Sequence, residues 1–351
     1  MKDWLRTGAL GLLVLAVATI GTAGATVGAT TPATTASPVP APPPPALQCG
    51  INVSAGANLA AIVHSAPTGT TFCLASGTYK LTGPVYPKNS DSFVGQQSNP
   101  PIIDASLTTI GFDAHEVSDV TFEYVTVQGA TGGGGPTVCS QCGRGIWGGD
   151  AMRVWDSTFR NNAGDGIAGG QNTAQHPWLI VGSTFSSNGS TPFLGVEAGG
   201  VKGTSAYTIL NSTASNNIGE GIWCDVGCTG GTWTVEGDTV TGNTGGGIRY
   251  EISDVGAVIS GNLVNDNNTS NRPGLGGIQV ASSGNAMVVD NTATNNGWAQ
   301  IIFGGGGRRT LNAAGGIGIA TSENNVAQNN IVSGVGGIRG CSSPGVSCSG
   351  T

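Results

Sequence analysis

A recurring marker constrains the fold of this chain more than any other feature. A glycine followed by isoleucine or valine opens a short alternating apolar run at eight places: Ile146, Ile167, Val201, Ile222, Ile248, Ile278, Ile317 and Ile338. The intervals between these markers are 21, 34, 21, 26, 30, 39 and 21 residues. A base period of 21 residues with loop insertions is typical of a solenoid, in which each repeat packs on the next.

Asparagines form a second marker that keeps phase with the first. Asn162, Asn217 and Asn243 each lie five residues before a marker residue, and Asn296 has the same offset from Ile301. A further coil is therefore predicted at Ile301, within the 39-residue interval between Ile278 and Ile317. Between the markers lie short runs of alternating Val or Ile, bounded by Gly and Asn, which predict about three short strands per period.

We therefore predict an all-β protein, a single-stranded right-handed parallel β-helix of about 8–10 coils. One coil adds about 4.8 Å along the axis, so equivalent residues stack directly above one another. The stacked asparagines are expected to share hydrogen bonds along the column. Residues 57–67, ANLAAIVHSAP, have helical periodicity and precede the repeats, which predicts an N-terminal capping helix.

Three segments divide the chain. Residues 1–25 combine Lys2 and Arg6 with a short apolar run and a small-residue cleavage site, the pattern of a secretory signal, and the run is too short to span a bilayer. Residues 26–46 are rich in Thr, Ala and Pro, which predicts a semi-rigid spacer that holds the body away from a wall. Residues 47–351 form the β-helix domain. We expect a secreted or cell-surface protein with no stable membrane insertion after signal cleavage.

All eight cysteines follow the signal and the Pro-rich segment. An even number beyond a secretory signal indicates disulfides, although the count leaves many pairings open. Proximity in sequence favours Cys49–Cys73, Cys139–Cys142, Cys224–Cys228 and Cys341–Cys348.

The chain is poor in charge. Charged residues make up 9% of the sequence, glycines number 61, and the net charge is −7. A nucleic-acid partner would need a basic footprint, so we expect none. We also expect a monomer. In such a chain, a local cluster of charges is a stronger functional signal than usual.

Such a cluster recurs in two neighbouring repeats, GIWCD at 221–225 and GIRYE at 247–251. Because successive side chains of a strand alternate between faces, an inward Ile222 or Ile248 directs the first and third residues after it outward. The first outward column contains Trp147, Lys202, Trp223, Arg249 and Gln279. The second contains Thr204, Asp225 and Glu251, while Glu197 and Glu220 lie in the turns that lead into these strands.

The same segments resemble a known family. The stretch at 76–96, together with EAGGVKG (197–203), GIWCD and GIRYEIS (247–253), is similar to secreted right-handed parallel β-helix repeat proteins of the pectate-lyase-like superfamily. The resemblance covers about residues 47–340. It implies the β-helix fold and an extended polysaccharide as partner. Lyases of this superfamily often use calcium and a Lys or Arg base.

Three alternative functions are compatible with these residues. In a lyase that cleaves a uronate glycan by β-elimination, Lys202 is the base and Arg249 neutralises the substrate carboxylate. Trp147, Trp223 and Gln279 bind sugar, and Glu197, Asp225 and Glu251 could hold calcium. In a retaining glycoside hydrolase, Asp225 and Glu251 are nucleophile and acid. A non-catalytic glycan-binding or adhesive module would use the same groove, with dispensable acids.

Overall fold

Three long parallel sheets wind around a common core. The structure, a computed structural model, describes residues 36–132, 143–169, 176–190, 199–305, 308–311 and 317–350. The predicted signal at 1–25, the Cys139–Cys142 pair and Glu197 lie outside the described residues. No described helix is long and apolar enough to cross a membrane.

The sheets, here called A, B and C, contain twelve, ten and nine strands among the described residues. Sheet A consists of β1 (Ile51–Val53), β2 (Thr71–Leu74), β4 (Ser92–Val94), β7 (Thr121–Glu123), β10 (Arg153–Trp155), β13 (Trp178–Val181), β16 (Tyr207–Leu210), β19 (Trp233–Glu236), β22 (Ala257–Ser260), β25 (Ala286–Val289), β30 (Asn325–Gln328) and β33 (Val346–Ser349). Sheet B consists of β3 (Thr78–Lys80), β5 (Ile102–Asp104), β8 (Thr126–Gln128), β11 (Thr158–Arg160), β14 (Thr184–Ser186), β17 (Thr213–Ser215), β20 (Thr239–Thr241), β23 (Leu263–Asn265), β26 (Thr292–Thr294) and β31 (Ile331–Ser333).

Sheet C consists of β6 (Ile110–Asp113), β9 (Arg144–Gly148), β12 (Asp165–Gly169), β15 (Gly199–Ser205), β18 (Glu220–Thr229), β21 (Ile248–Glu251), β24 (Ile278–Ala281), β27 (Ile301–Gly304) and β32 (Ile338–Arg339). Each of its nine strands closes one coil that also contains a strand of sheet A and a strand of sheet B. The expected number of coils and the all-β class are therefore confirmed.

The inward marker column is also confirmed. Successive register partners on sheet C are Ile146, Ile167, Val201, Ile222, Ile248, Ile278, Ile301 and Ile338. The members from Ile146 to Ile301 are almost completely buried. The further coil predicted at Ile301 exists, because this residue pairs with Ile278 on one side and Ile338 on the other.

The prediction that Ile317 marks an inward position of a coil is wrong. It lies in an antiparallel hairpin formed by β28 (Arg308–Leu311) and β29 (Ile317–Ala320), outside the three sheets. Strand β27 instead pairs directly with β32. A Gly-Ile step alone cannot distinguish an inward coil position from a hairpin, because both are short alternating strands.

Two side-chain ladders connect the coils. In the predicted ladder, the amide of Asn162 donates to Asn188, and the same bond continues through Asn217, Asn243 and Asn267 to Asn296. Gln300 accepts the last bond. In the second ladder, the backbone N–H of each member donates to the side chain of the next, through Ser157, Ser183, Ser212, Asp238, Asn262, Asn291 and Asn330. These bonds satisfy backbone groups at the turns, which are buried and need partners.

A short helix covers the N-terminal end of the core, as predicted. Helix α1 (Leu59–Ser65) begins after Asn58, whose side chain accepts from the backbone N–H of Ala61, as an N-cap does. Leu59 and Val63 are buried against the first coils.

Three of the four expected disulfides are present among the described cysteines: Cys49–Cys73, Cys224–Cys228 and Cys341–Cys348. Both Cys224 and Cys228 are buried in the core. Strand β18 accommodates their bond with a bulge, because Gly203 pairs with Cys224 while Ser205 pairs with Thr229.

The described part of the Pro-rich segment does not project from the body as a spacer. The backbone N–H of Val39 donates to Asn211 Oδ1 (2.7 Å), and Asn211 Nδ2 donates back to the carbonyl of Val39 (2.8 Å). Val39 and Ala41 pack against Trp155, Val181 and Leu210 on the outer face of sheet A. Composition predicts the extended conformation of this segment, but the apolar patch that receives it is assembled from distant coils.

Candidate functional site on the outer face of sheet C

A row of outward side chains runs along sheet C. Its register partners, in order, are Asp113, Trp147, Ala168, Lys202, Trp223, Arg249 and Gln279. Neighbouring members are one coil apart, about 4.8 Å. We call this set the outer row. The sequence-predicted members Trp147, Lys202, Trp223, Arg249 and Gln279 therefore lie in one line.

Trp223 is held between two cations. Lys202 Nζ lies 4.1 Å from the centroid of the Trp223 ring, and Arg249 Cζ lies 4.9 Å from it. Both distances are within the range of cation–π attraction. The ring is only 4% exposed, so the exposed tryptophan expected from the sequence is covered in this structure. The backbone of β28 passes close to β18, the strand that carries Trp223.

Arg249 is fixed by two carboxylates. Its Nη1 donates to Glu220 Oε1 (3.0 Å) and its Nη2 donates to Glu251 Oε1 (2.7 Å). Both acids are buried, with side chains 3% and 6% exposed. A guanidinium held by two buried acids is rigid, so Arg249 is oriented before any ligand arrives.

Asp225 lies in the disulfide-closed bulge and reaches the other cation. Its Oδ2 is 3.4 Å from Lys202 Nζ. Burial raises the pKa of the Asp225 carboxyl; Lys202 opposes this shift, and Glu251 adds to it by charge repulsion. The charges of Asp225 and Glu251 therefore repel one another, as expected for acids on adjacent coils. Their predicted roles as a catalytic pair stay predictions.

The predicted calcium ligands do not form a site among the described residues. No three His, Cys, Asp or Glu side chains in the described part of the chain are grouped to hold a metal ion. Asp225 and Glu251 each contact a basic side chain instead. Calcium binding stays a prediction.

Sequence reasoning missed a second group at the start of the outer row. His115 Nδ1 lies 2.5 Å from Asp113 Oδ1, and the imidazole stacks on Trp147 with ring centroids 3.9 Å apart and planes 9° apart. Arg144 also lies over Trp147, with its Cζ 4.9 Å from the ring centroid. The side chain of His115 is 33% exposed, so it is open to solvent.

This group had a weak sequence signal. The chain has only three histidines, and His115 is the one that follows an aspartate by two residues, in Asp113-Ala114-His115. The stretch lies outside the 21-residue spacing, because 34 residues separate Phe112 from its register partner Ile146. Periodicity alone therefore could not bring His115 to Trp147.

The family comparison agrees with this architecture. Residues 102–264 match the family described as right handed beta helix region. The chain is a right-handed parallel β-helix protein. The matched range of this β-helix protein includes Asp113, His115 and the outer row from Trp147 to Arg249. No curated protein matches the β-helix protein in sequence.

Solved structures similar to this β-helix protein share little sequence with it. An alginate lyase from Paenibacillus sp. str. FPU-7 is 16% identical, with a TM-score of 0.48, covering 84% of this chain and 98% of the other. The A-module of a mannuronan C-5 epimerase from Azotobacter vinelandii is 14% identical, with a TM-score of 0.47 and coverages of 83% and 94%. A polygalacturonase from Erwinia carotovora ssp. carotovora is 12% identical, with a TM-score of 0.46 and coverages of 89% and 100%.

Proposed function

We propose that this protein is a polysaccharide-active enzyme that cleaves a uronate-containing glycan by β-elimination on the outer face of sheet C. The observation that carries the proposal is the pair Asp113–His115 stacked on Trp147 at the start of the outer row. It combines a proton-transfer group, an orienting acid and an aromatic platform at one place on an extended face.

His115 is the general base in this proposal. The 2.5 Å contact with Asp113 fixes the proton on Nδ1, which leaves Nε2 as the ring nitrogen that can accept a proton. Nε2 also lies 3.5 Å from Glu116 Oε1, whose side chain is exposed. An imidazole can take up and release a proton near neutral pH, as a general base must.

Lys202 is less suited to that task. It is 9% exposed, it contacts Asp225, and it lies over Trp223. An amine next to a carboxylate favours its charged form, which cannot accept a proton. We therefore assign Lys202 and Arg249 to binding, where fixed positive charge stabilises uronate carboxylates.

The outer row provides the length that a glycan chain needs. Trp147 and Trp223 are three coils apart, about 14 Å, and Lys202 and Arg249 lie in the same row. Trp223 Nε1 and Gln279 Oε1 are buried without a hydrogen-bond partner among the described residues. Unpaired buried polar atoms are costly, and sugar hydroxyls would satisfy them once the covering segments move.

The chemistry balances without an added redox partner. His115 Nε2 takes the proton from C5 of the uronate, the C–H electrons form a C4=C5 double bond, and the C4–O bond breaks. The departing oxygen takes a proton from the imidazolium or from water. Positive charge from Arg144, whose Cζ lies 4.9 Å from the centroid of the Trp147 ring, would stabilise the negative charge that develops next to C5.

The test is a screen of the purified protein against uronate and neutral polysaccharides, with and without a chelator. We expect ultraviolet absorbance from the new C4=C5 bond with a uronate polymer, and a loss of at least about 10²-fold in rate for His115→Asn. His64→Asn is the matched control, since His64 is exposed on α1, away from sheet C.

Three outcomes would redirect the proposal. New reducing ends without the absorbance indicate hydrolysis. Binding without product on every glycan indicates a binding module. Full lyase activity in His115→Asn assigns the base elsewhere, and Lys202→Ala then tests the sequence-predicted alternative.

A further inference from the structure

The Pro-rich residues 36–47 form a strap that crosses the outer face of sheet A. The backbone N–H of Ala36 donates to Thr239 Oγ1 (3.1 Å), and Trp155 Nε1 donates to the carbonyl of Pro42 (3.3 Å). Between these points, Val39 and Asn211 exchange two hydrogen bonds. The strap therefore runs back along the axis, from the coil of Thr239 toward the N-terminal end.

The strap follows the three-residue period of a polyproline II helix except between Val39 and Ala41, which are two residues apart. Its half-buried residues are Ala36, Val39, Ala41, Pro44 and Leu47, and all others from 36 to 47 are exposed. A polyproline II helix has three residues per turn and rises about 3.1 Å per residue, so one face repeats every third residue. Eleven such steps reach about 34 Å, enough for the five or six coil rises of about 4.8 Å between the coil of Thr239 and strands β4 and β2, which border the same cavities as Leu47. The strap is therefore long enough to cross this face.

Sheet A receives the strap in a groove built from its own outward residues. Trp155, Val181 and Leu210 are consecutive register partners and form a small apolar cluster with Val39 and Ala41. Gly237 lets the strap come close, since a Cβ there would lie 3.2 Å from Ser37 O and from Val39 Cγ1. Towards its C-terminal end, the strap borders a cavity of about 370 Å³ that Trp155, Pro43 and Pro45 line.

A buried acid lies under the same end of the strap. Glu123 occupies the register position between Val94 and Trp155 and is 3% exposed. Val94 lines a cavity together with Leu47, and Trp155 contacts Pro42. The strap passes from Pro42 to Leu47, so it crosses Glu123. Glu123 Oε1 is buried with no hydrogen-bond partner among the described residues.

Among the described residues, the one charged group that acts on this carboxylate is acidic. The strap residues 36–47 carry no charge. Val94 and Trp155 are neutral neighbours, Tyr124 follows on the same chain, and the nearest charge is the acidic Asp156. Arg153 is in the adjacent row, where it pairs with Asp119. Burial raises the pKa of Glu123 to about 7, with a further contribution from Asp156.

We propose that the outer face of sheet A is a binding groove for a polyproline II segment, that its ligand is the chain's own residues 36–47, and that ionisation of Glu123 releases the strap. Docking covers the carboxyl group, which is tolerated when neutral. An uncovered, ionised Glu123 regains water, which favours the open state.

The pH dependence of strap docking follows from the direction of the Glu123 pKa shift. The docked state binds the proton more tightly than the open state, in which the ordinary value is 4.5. The contribution of neutral Glu123 to docking is therefore complete below about pH 4.5 and is lost progressively as the pH rises to about 7. Release of the strap would uncover Trp155 and Leu210.

The experiment is amide hydrogen exchange at Val39, whose N–H is bound by Asn211, in the full chain at about pH 4, below the ordinary pKa of Glu123, and at about pH 8. Glu123→Gln cannot ionise and is the matched control at each pH. We expect equal protection in both proteins at the lower pH, and exchange about tenfold or more faster in the wild type at the higher pH. Asn211→Ala should expose Val39 at both pH values.

Two results overturn the proposal. An unprotected Val39 at the lower pH in both proteins means that the strap does not dock. Equal protection of wild type and Glu123→Gln at the higher pH means that Glu123 does not release it. Circular dichroism of each variant shows whether the β-helix itself is intact, so a folding defect is recognised separately.

Discussion

The imidazole of His115 lies parallel to the indole of Trp147, 3.9 Å between centroids, although the two are 32 positions apart in sequence and strands β7 and β8 lie between them. Asp113 holds one edge of the same imidazole. Stacking and the hydrogen bond together fix the plane and the direction of the ring. The orientation of His115 relative to the outer row is therefore set before a ligand binds.

Asp113→Asn should lower kcat by roughly 10²-fold or more and leave KM nearly unchanged. An amide that donates to Nδ1 favours the wrong tautomer, with the proton on Nε2. The measurement is the initial rate across pH on the glycan identified by the screen. Asp290→Asn, at an exposed turn, is the control. An unchanged kcat and pH profile in Asp113→Asn would remove Asp113 from the mechanism.

Asn243→Ala should destabilise the protein by about 2–4 kcal/mol. The Asn243 side chain accepts two hydrogen bonds from Asn217 and donates to Asn267 and Ala214, so its removal leaves buried partners unpaired. Chemical denaturation measures the loss. Gln97→Ala, which removes an exposed amide, should change stability by less than about 0.5 kcal/mol. Similar losses in the two variants would contradict a stabilising role for the ladder.

Asp238→Asn should stabilise the protein, and more strongly at higher pH. Burial raises the pKa of Asp238 well above its ordinary 3.8, so the wild type loses stability as the pH rises above that value. Asn262 occupies the next position of the same ladder and donates to the carbonyl of Val235. We expect a gain on the order of 1 kcal/mol or more at neutral pH. Melting temperatures at about pH 5 and about pH 8 give the comparison, and an equal gain at both argues against the ionisation.

Replacing Cys224 and Cys228 together by Ala should perturb the Asp225 bulge without unfolding the coils. The chain-entropy contribution of so short a loop is about 2 kcal/mol, against about 3.5 kcal/mol for the loop closed by Cys49–Cys73. The sequence separations are 4 and 24 residues. Thermal unfolding of this variant and of the matching Cys49→Ala/Cys73→Ala variant shows which disulfide contributes more to stability. A larger loss from the shorter loop would show that the bulge itself stabilises β18.

The sequence by itself determined the coil. In a parallel β-helix, residues at the same phase of the repeat must stack, because each strand pairs with its counterpart one coil away. For that reason Ile222 and Ile248, the asparagine ladder, and the alignment of Lys202, Trp223 and Arg249 could be inferred from spacing alone. The disulfides between near neighbours followed from the same local proximity.

Only the tertiary structure decided what lies on the coil. The hairpin at Ile317, the burial of Trp223, the placement of His115 on Trp147 and the docking of residues 36–47 on sheet A all involve segments outside the repeat. Such segments have no phase that fixes their position. Their place depends on which apolar faces and unpaired polar groups distant coils happen to present, and a period of 21 residues carries no information about that.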